Sequence, residues 1–425
     1  TDYVPLRGEK DGTITPQYSM DPVVDVGLVK MDFLGLKTLT IIQNTVRAVK
    51  RSRGIDVDML SVPLDDPATY ELLSRADTAA VFQLESEGMR QILRDLKPSS
   101  FDHIVPLVAL YRPGPMASAP DFIAGRHGRP VEYLHPKLEP VLKDTYGVIL
   151  YQEQVMRVAS ELAGFTMPQA EIIMRAMAKK DQAKMERMKP LFIQGCVANG
   201  VPESVAQEIF NRMETFSRYG FNKSHSAAYA LVAYWTAYLK ANYPVEFLAA
   251  QLTTVIGQSS EIARYVTECR RSGIEVLPPS VNTSYAEFSV QNGKIVFGLA
   301  AIKNLGMGTC LEIQREREEN GPYAGLWDFC RRVACRGVQK AAVKILIEAG
   351  AMEEFGHRAQ LLAALDQAYA AGQKCVADRE TGQVSLFSEG PEDSPGGEQL
   401  PDTPPLTDEA VLALEKEFLG LYLSN

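Results

Sequence analysis

The chain has 425 residues, 46% of them hydrophobic, with a net charge of -9 and a pI near 5.3. That length suggests two to four domains with real cores. The acidic balance excludes a wholly basic nucleic-acid coat protein but leaves room for local basic surfaces. Six cysteines show no C-x-x-C pair or zinc spacing, no apolar run reaches membrane-spanning length, and the N-terminus has no signal-peptide pattern. These features predict free thiols, a reducing cytoplasmic compartment and no membrane partner. The chain opens on Thr1 rather than Met, and reads as part of something longer.

In chain order, residues 1–25 read as irregular, with Pro5, Gly8, Gly12, Pro16 and Pro22. Asp25 to Leu34 is a short Val-rich apolar run, which predicts a buried strand. Alternate strand residues share a face, so Lys30 and Asp32 point the same way, as an ion pair or as a metal ligand beside a phosphate contact. Thr38 to Lys50 predicts a helix with a basic end. Asp56 and Asp58 have the spacing of a two-metal pair, but they lie in a polar connection and are not expected to bind metal.

From Pro67 to Tyr243 the pattern is largely helical, with Leu72, Leu73, Phe82, Met89, Ile92 and Leu93 on apolar faces. A helix over Ser99 to Tyr111 ends at Arg112-Pro113-Gly114-Pro115, because proline cannot continue it. Arg112 is then placed to bind phosphate or to complement the helix dipole. Tyr146 to Leu162 predicts another helix. Thr166-Met167-Pro168-Gln169 reads as a capping box opening the next one. That helix carries Ile172, Arg175 and Lys179 on one stripe, followed by Lys180, Lys184, Arg187 and Lys189, a cationic side suited to a polyanion.

Phe216 to Ala230, FSRYGFNKSHSAAYA, packs a glycine bend, Asn222, Lys223, Ser224 and His225 against the start of an apolar helix. With serine as N-cap at 224–226, that start would be either an anion site or simply a capped core helix. Helices over Glu246–Val255 and Ser259–Ser272 follow. Extended segments come next, with a hairpin at Gly293. Gly298 to Arg317 reads as helix, glycine turn, helix, either a helix-hairpin-helix whose Lys303, Gly306 and Gly308 meet a DNA backbone or an ordinary helical hairpin, which also needs a glycine in its turn. Gln339 to Met352 with Gly356 is a possible second copy. Gly372 to Thr407 has the composition of a disordered linker. Its apolar island Gln383-Val384-Ser385-Leu386-Phe387 reads as a peptide for a partner's groove or a docked strand tip. A last helix spans Glu409 to Leu423.

The blocks VGLVKMDFLGLKTLT, VFQLESEGM, LVALYRPGP, YGVILYQEQVMRVA, RAMAKK and FSRYGFNKSHSAAYALVAYWTAYLKANYPVEFLAAQLT resemble, in order, the bacterial replicative DNA polymerase family, the alpha subunits of DNA polymerase III. The resemblance implies an α+β, predominantly α-helical chain. It comprises the tail of a polymerase-beta-like nucleotidyltransferase palm (1–55), helical nucleotide-binding fingers (56–272), and the end of the fingers with a helix-hairpin-helix region (273–371). A flexible linker (372–407) and a truncated helix (408–425) complete it. Asp32 matches the third catalytic, metal-binding aspartate and Lys30 a lysine facing the nucleotide. The other two aspartates belong to an upstream segment outside this chain, so this chain alone is expected to be inactive. Arg175, Lys179 and Lys180 match the triphosphate-contacting block, with Met174 where the family often has an arginine. Arg112, Asn222, Lys223, Ser224 and His225 fall at the nucleotide, and His225 matches a residue that crowds the sugar. Lys303, Gly306 and Gly308 match the duplex-binding module, and Gln383, Leu386 and Phe387 the sliding-clamp motif. The implied partners are primer-template DNA, a deoxynucleoside triphosphate (dNTP), the sliding clamp and further replicase subunits. The implied cofactors are two Mg²⁺ ions. The alternative reading is a non-catalytic module that binds DNA and the clamp.

Overall fold

The computed structural model describes residues 2–29, 31, 35–112, 114–179, 181–217, 220–381 and 398–423. They fall into two units, 1–37 and 38–425.

In the first unit β1 (Leu6–Gly8) pairs antiparallel with β2 (Ile14–Pro16), in the register Arg7 opposite Thr15. The segment predicted to be irregular is therefore a hairpin. Its turn is held by Asp11, which accepts a bond from the Thr13 N–H at 3.0 Å, and by Gly12 at φ +87°. α1 (Met20–Asp25) follows, opened by Asp21 and Pro22 in its first turn. The strand predicted from Asp25 onward is not formed in the described residues 25–29 and 31. Asp25 instead ends α1, where the Leu28 N–H reaches back to the Val23 carbonyl around Gly27 at φ +86°. Lys30 and Asp32 lie outside the described residues.

The described residues of the second unit form three hydrophobic cores. It opens with α2 (Lys37–Arg53), which buries Ile41, Ile42, Thr45 and Val49 on one stripe. Asp56 and Asp58 follow on the surface. Asp56 pairs with Lys50 at 2.7 Å, and Asp58 caps a short 3₁₀ turn through the Leu60 N–H.

One core is built from α3 (Pro67–Ser74), α4 (Glu87–Leu96), α5 (Phe101–Leu110) and α6 (Ala119–Arg126). Phe82, expected on a helix face, lies in the turn between α3 and α4, where its N–H donates to Thr236 Oγ1 at 3.1 Å. A separate bundle is made by α7 (Glu139–Leu142), α8 (Gln152–Ala163), α9 (Met167–Lys179), α10 (Gln182–Ala198) and α11 (Glu203–Ser217). α9 opens as the sequence predicts, with Gln169 Oε1 accepting from the Thr166 N–H at 3.0 Å. α10 approaches α8 so closely at Gly195 that a Cβ there would lie 2.3 Å from the Ala163 carbonyl oxygen.

α8 begins six residues later than predicted. Tyr146 and Gly147 take positive φ, and the buried Gln154 side chain accepts from the N–H groups of Leu150 and Tyr151 at 2.8 and 3.0 Å. That amide fixes the start of the helix, with Tyr151 extended just before it.

α12 (Lys223–Asn242) runs through the first of these cores against α3 and α5. Ser226, Ala230, Ala233 and Ala237 give it a small-residue face that lets its neighbours come close. Its far end is clamped by Lys240, only 4% exposed, whose Nζ donates to Glu268 at 2.7 Å, Asp77 at 3.1 Å and the Ala79 carbonyl at 3.2 Å. Arg271 pairs with the same two carboxylates. Burial alone would raise both acids, but Lys240 and Arg271 hold Asp77 and Glu268 below the ordinary carboxylate range.

The third core gathers α13 (Pro244–Thr254), α14 (Ser259–Arg271), α15 (Met307–Asn320), α16 (Leu326–Ala334), α17 (Lys340–Glu348), α18 (Arg358–Thr381) and α19 (Asp408–Phe418). With them lies a small sheet of β3 (Val276–Leu277), β4 (Ser289–Gln291) and β5 (Lys294–Val296), in the order β3-β5-β4. The hairpin turn is Asn292–Gly293, both at positive φ, as the glycine predicts. Two expectations fail here. The first helix of the 298–317 hairpin is only a 3₁₀ turn, Leu299–Ala301. The predicted linker is helical in its first ten residues, because α18 runs on to Thr381, its glycine Gly372 packed against the Cys330 carbonyl. Beyond the undescribed stretch, Glu398 pairs with Arg331 and Leu400 packs on the core. Gln383, Leu386 and Phe387 lie outside the described residues. No helix among the described residues is long and apolar enough to cross a membrane.

Candidate functional site: a junction of helix ends

The start of α12 lies one turn earlier than the serines suggest. Asn222 is the N-cap, its Oδ1 accepting from the His225 N–H at 2.8 Å. Asparagine caps as well as serine does. Ser226 is unavailable, because its buried hydroxyl donates to the Val105 carbonyl at 2.6 Å. Lys223, Ser224 and His225 form the exposed first turn.

This start is stitched to the start of α8. The Gln152 N–H donates to the Phe221 carbonyl at 2.9 Å, its side-chain amide donates to the Gly220 carbonyl at 3.1 Å, and Tyr151 and Phe221 form a parallel bridge. Glu153, in the first turn of α8, accepts from the Lys223 N–H with both carboxylate oxygens, at 3.1 and 3.0 Å, and from Asn222 Nδ2 at 3.0 Å. The positive end of α12 is thus not a vacant anion site. The protein's own carboxylate already complements it.

Arg112 enters from α5. Its guanidinium carbon stands 4.1 Å from the Phe221 ring centroid, a cation–π contact. Neither Arg112 nor Lys223, whose Nζ is 5.6 Å from the Tyr151 ring centroid, has a carboxylate ion pair among the described residues. Gly88 in α4 makes room for this turn, since a Cβ there would fall 2.4 Å from the Tyr111 hydroxyl. His225 lies between Phe221, at 5.2 Å, and Tyr229, at 4.1 Å.

The structure therefore brings together Arg112, Asn222, Lys223, Ser224 and His225. Arg175 sits on α9 in the separate bundle, exposed, with Glu171 as its ion-pair partner at 2.6 Å. Lys180 lies outside the described residues, as does the side chain of Lys179. Among the described residues no group of three or more His, Cys, Asp or Glu is placed to hold a metal.

A second exposed helix start lies at α15. Gly306 is its N-cap, with no side-chain capping bond and no acidic residue in the first turn. Among the described residues, nothing beyond the adjoining backbone stands within 4 Å of the place a Cβ would take on Gly306 or Gly308, and Lys303 is exposed nearby in the chain. Met307 and Leu311 of α15 line a groove of about 960 Å³ together with Arg47 and Arg51 of α2. Sequence reasoning missed Glu153, Phe221 and Tyr229. The i, i+4 spacing of 221, 225 and 229 was the only local signal for the ring contacts.

The family model for the bacterial DNA polymerase III alpha subunit finger domain matches residues 38–200, and a helix-hairpin-helix motif matches residues 273–361. The DNA polymerase III subunit alpha of Thermus aquaticus is 45% identical over 431 residues, covering 100% of this chain and 35% of the relative. Those of Bacillus subtilis and Deinococcus radiodurans are 43% and 42% identical, again over 100% of this chain and over 38% and 33% of the relatives. The chain thus spans little more than a third of the length of the first two of these relatives.

Proposed function

Because this chain belongs to the bacterial DNA polymerase III alpha subunit family, we propose that it supplies the nucleotide-facing fingers and a duplex-gripping region of a replicative DNA-templated DNA polymerase. The observation that carries this reading is the junction where Arg112 and Lys223, two cations with no carboxylate pair among the described residues, stand near the exposed His225. The reaction is nucleotidyl transfer from a dNTP to a primer 3′-OH, in the cytoplasm. Two Mg²⁺ ions, when bound, would activate the 3′-oxygen and stabilise the leaving pyrophosphate.

The described residues contain no cluster fitting those ions; on the family resemblance, Asp32 would supply one of their ligands. Arg112 and Lys223 neutralise charge on the nucleotide phosphates, with Lys30, Arg175, Lys179 and Lys180 completing the cationic wall. Asn222 and Ser224 orient the first turn, and His225 crowds the sugar. Lys303, Gly306 and Gly308 follow the duplex backbone, and Gln383, Leu386 and Phe387 engage the sliding clamp. The domain limits at 55, 272, 371 and 407 belong to the same proposal.

Primer extension by the full-length polymerase tests it. Asp32→Ala is expected to abolish extension. Arg112→Ala is expected to lower kcat/KM for dNTP roughly 10- to 100-fold, the scale of one charged hydrogen bond. Wild-type extension by Asp32→Ala would instead favour the non-catalytic DNA- and clamp-binding module.

A further inference from the structure

His225 and Tyr229 lie one turn apart on α12, and Phe221, just before its N-cap, packs on the same imidazole. Phe221 is buried, Tyr229 half-buried and His225 exposed. The Tyr229 and His225 ring centroids are 4.1 Å apart with a 37° interplanar angle, near-stacked, whereas Phe221 meets His225 edge-on at 5.2 Å and 72°. Tyr229 is itself backed by Phe82 at 5.3 Å. Neither ring nitrogen of His225 makes a hydrogen bond among the described residues. The described groups packed on the imidazole are these two rings, and Tyr229 makes the closer contact.

We propose that Tyr229 is a positioning residue for sugar selection: its ring backs His225 and holds the imidazole projecting outward, so that a ribonucleotide is excluded without Tyr229 touching the nucleotide. This rests on the reading of His225 as the group that crowds the sugar. Phe221 closes the other side, and Arg112 over its ring extends the same row to the phosphate-facing cation.

The test is the ratio of kcat/KM for a dNTP to that for the matching ribonucleoside triphosphate, measured on the full-length polymerase with His225→Ala, Tyr229→Leu and Tyr229→Phe. Tyr229→Leu is expected to lower the ratio roughly three- to tenfold, the scale of one ring-pair contact, through the ribonucleotide value alone. Tyr229→Phe is expected to match wild type. If His225→Ala lowers the ratio and Tyr229→Leu does not, this proposal falls and the sugar-crowding role of His225 stands. If His225→Ala leaves the ratio unchanged, that role falls and the proposal with it. Equal loss of both efficiencies in Tyr229→Leu marks a merely structural residue and overturns the proposal. In the 425-residue chain, the ring-current shift of the His225 Cε1–H NMR signal should be lost in Tyr229→Leu and kept in Tyr229→Phe. An unmoved signal in the leucine variant also overturns it.

Discussion

Two helix starts in this molecule solve the same electrostatic problem in opposite ways. α12 begins with an asparagine cap and an internal carboxylate, Glu153, laid across its first N–H groups. α15 begins with a glycine cap, no side-chain capping bond and open space on both glycines. The first start is closed, walled by rings and flanked by two separately placed cations. Such a site can discriminate, because each group has a fixed direction. The second is open and smooth, which suits a repetitive backbone whose sequence does not matter.

The strongest way to break the contrast is to unfasten α12 at its other end. Lys240→Met removes the buried cation shared by the buried Glu268 and the partly buried Asp77 and leaves them to the exposed Arg271. Urea unfolding should show a loss of about 3 kcal/mol, as for other broken buried pairs. The same cluster predicts an acid limit. Asp77 and Glu268 are depressed in the folded state, so their stabilisation is present above the unfolded carboxylate pKa and is lost as pH falls through the folded one. Stability should decline below about pH 4, and less steeply in Lys240→Met; parallel curves would contradict the assignment.

Glu153→Gln probes the closed start itself. It keeps the shape and removes the charge, and should cost about 1 kcal/mol in the same unfolding measurement. The smallest effect belongs to the open start. Lys303→Ala should leave the melting temperature unchanged and reduce the salt slope of duplex binding by about 1, uniformly across sequences. A sequence-dependent loss would show that the two starts differ less than their geometry says.

Much of the helical framework is legible in the sequence, because its signals are local. The Thr166–Gln169 box, the Asn292–Gly293 turn and the end of α5 at Leu110 are all marked within a few residues. The misread segments are those where a distant or competing partner decides. Gln154 delays α8, a turn at Gly27 breaks the start of the Val-rich run after α1, and Cys330 gives Gly372 a surface that keeps α18 going. The site was half visible. Its cationic residues stood out, but the carboxylate and rings that organise them come from other helices or from spacing that looks like ordinary core.

The bridge between Tyr151 and Phe221 makes these parts interdependent. Glu153 rides on the α7–α11 bundle, whereas Asn222 and Lys223 ride on the central helix. Any rotation that parts residues 151 and 221 also lifts the carboxylate away and bares the helix end beside Arg112. The attraction felt by an approaching anion is therefore geared to how firmly the neighbouring bundle is seated.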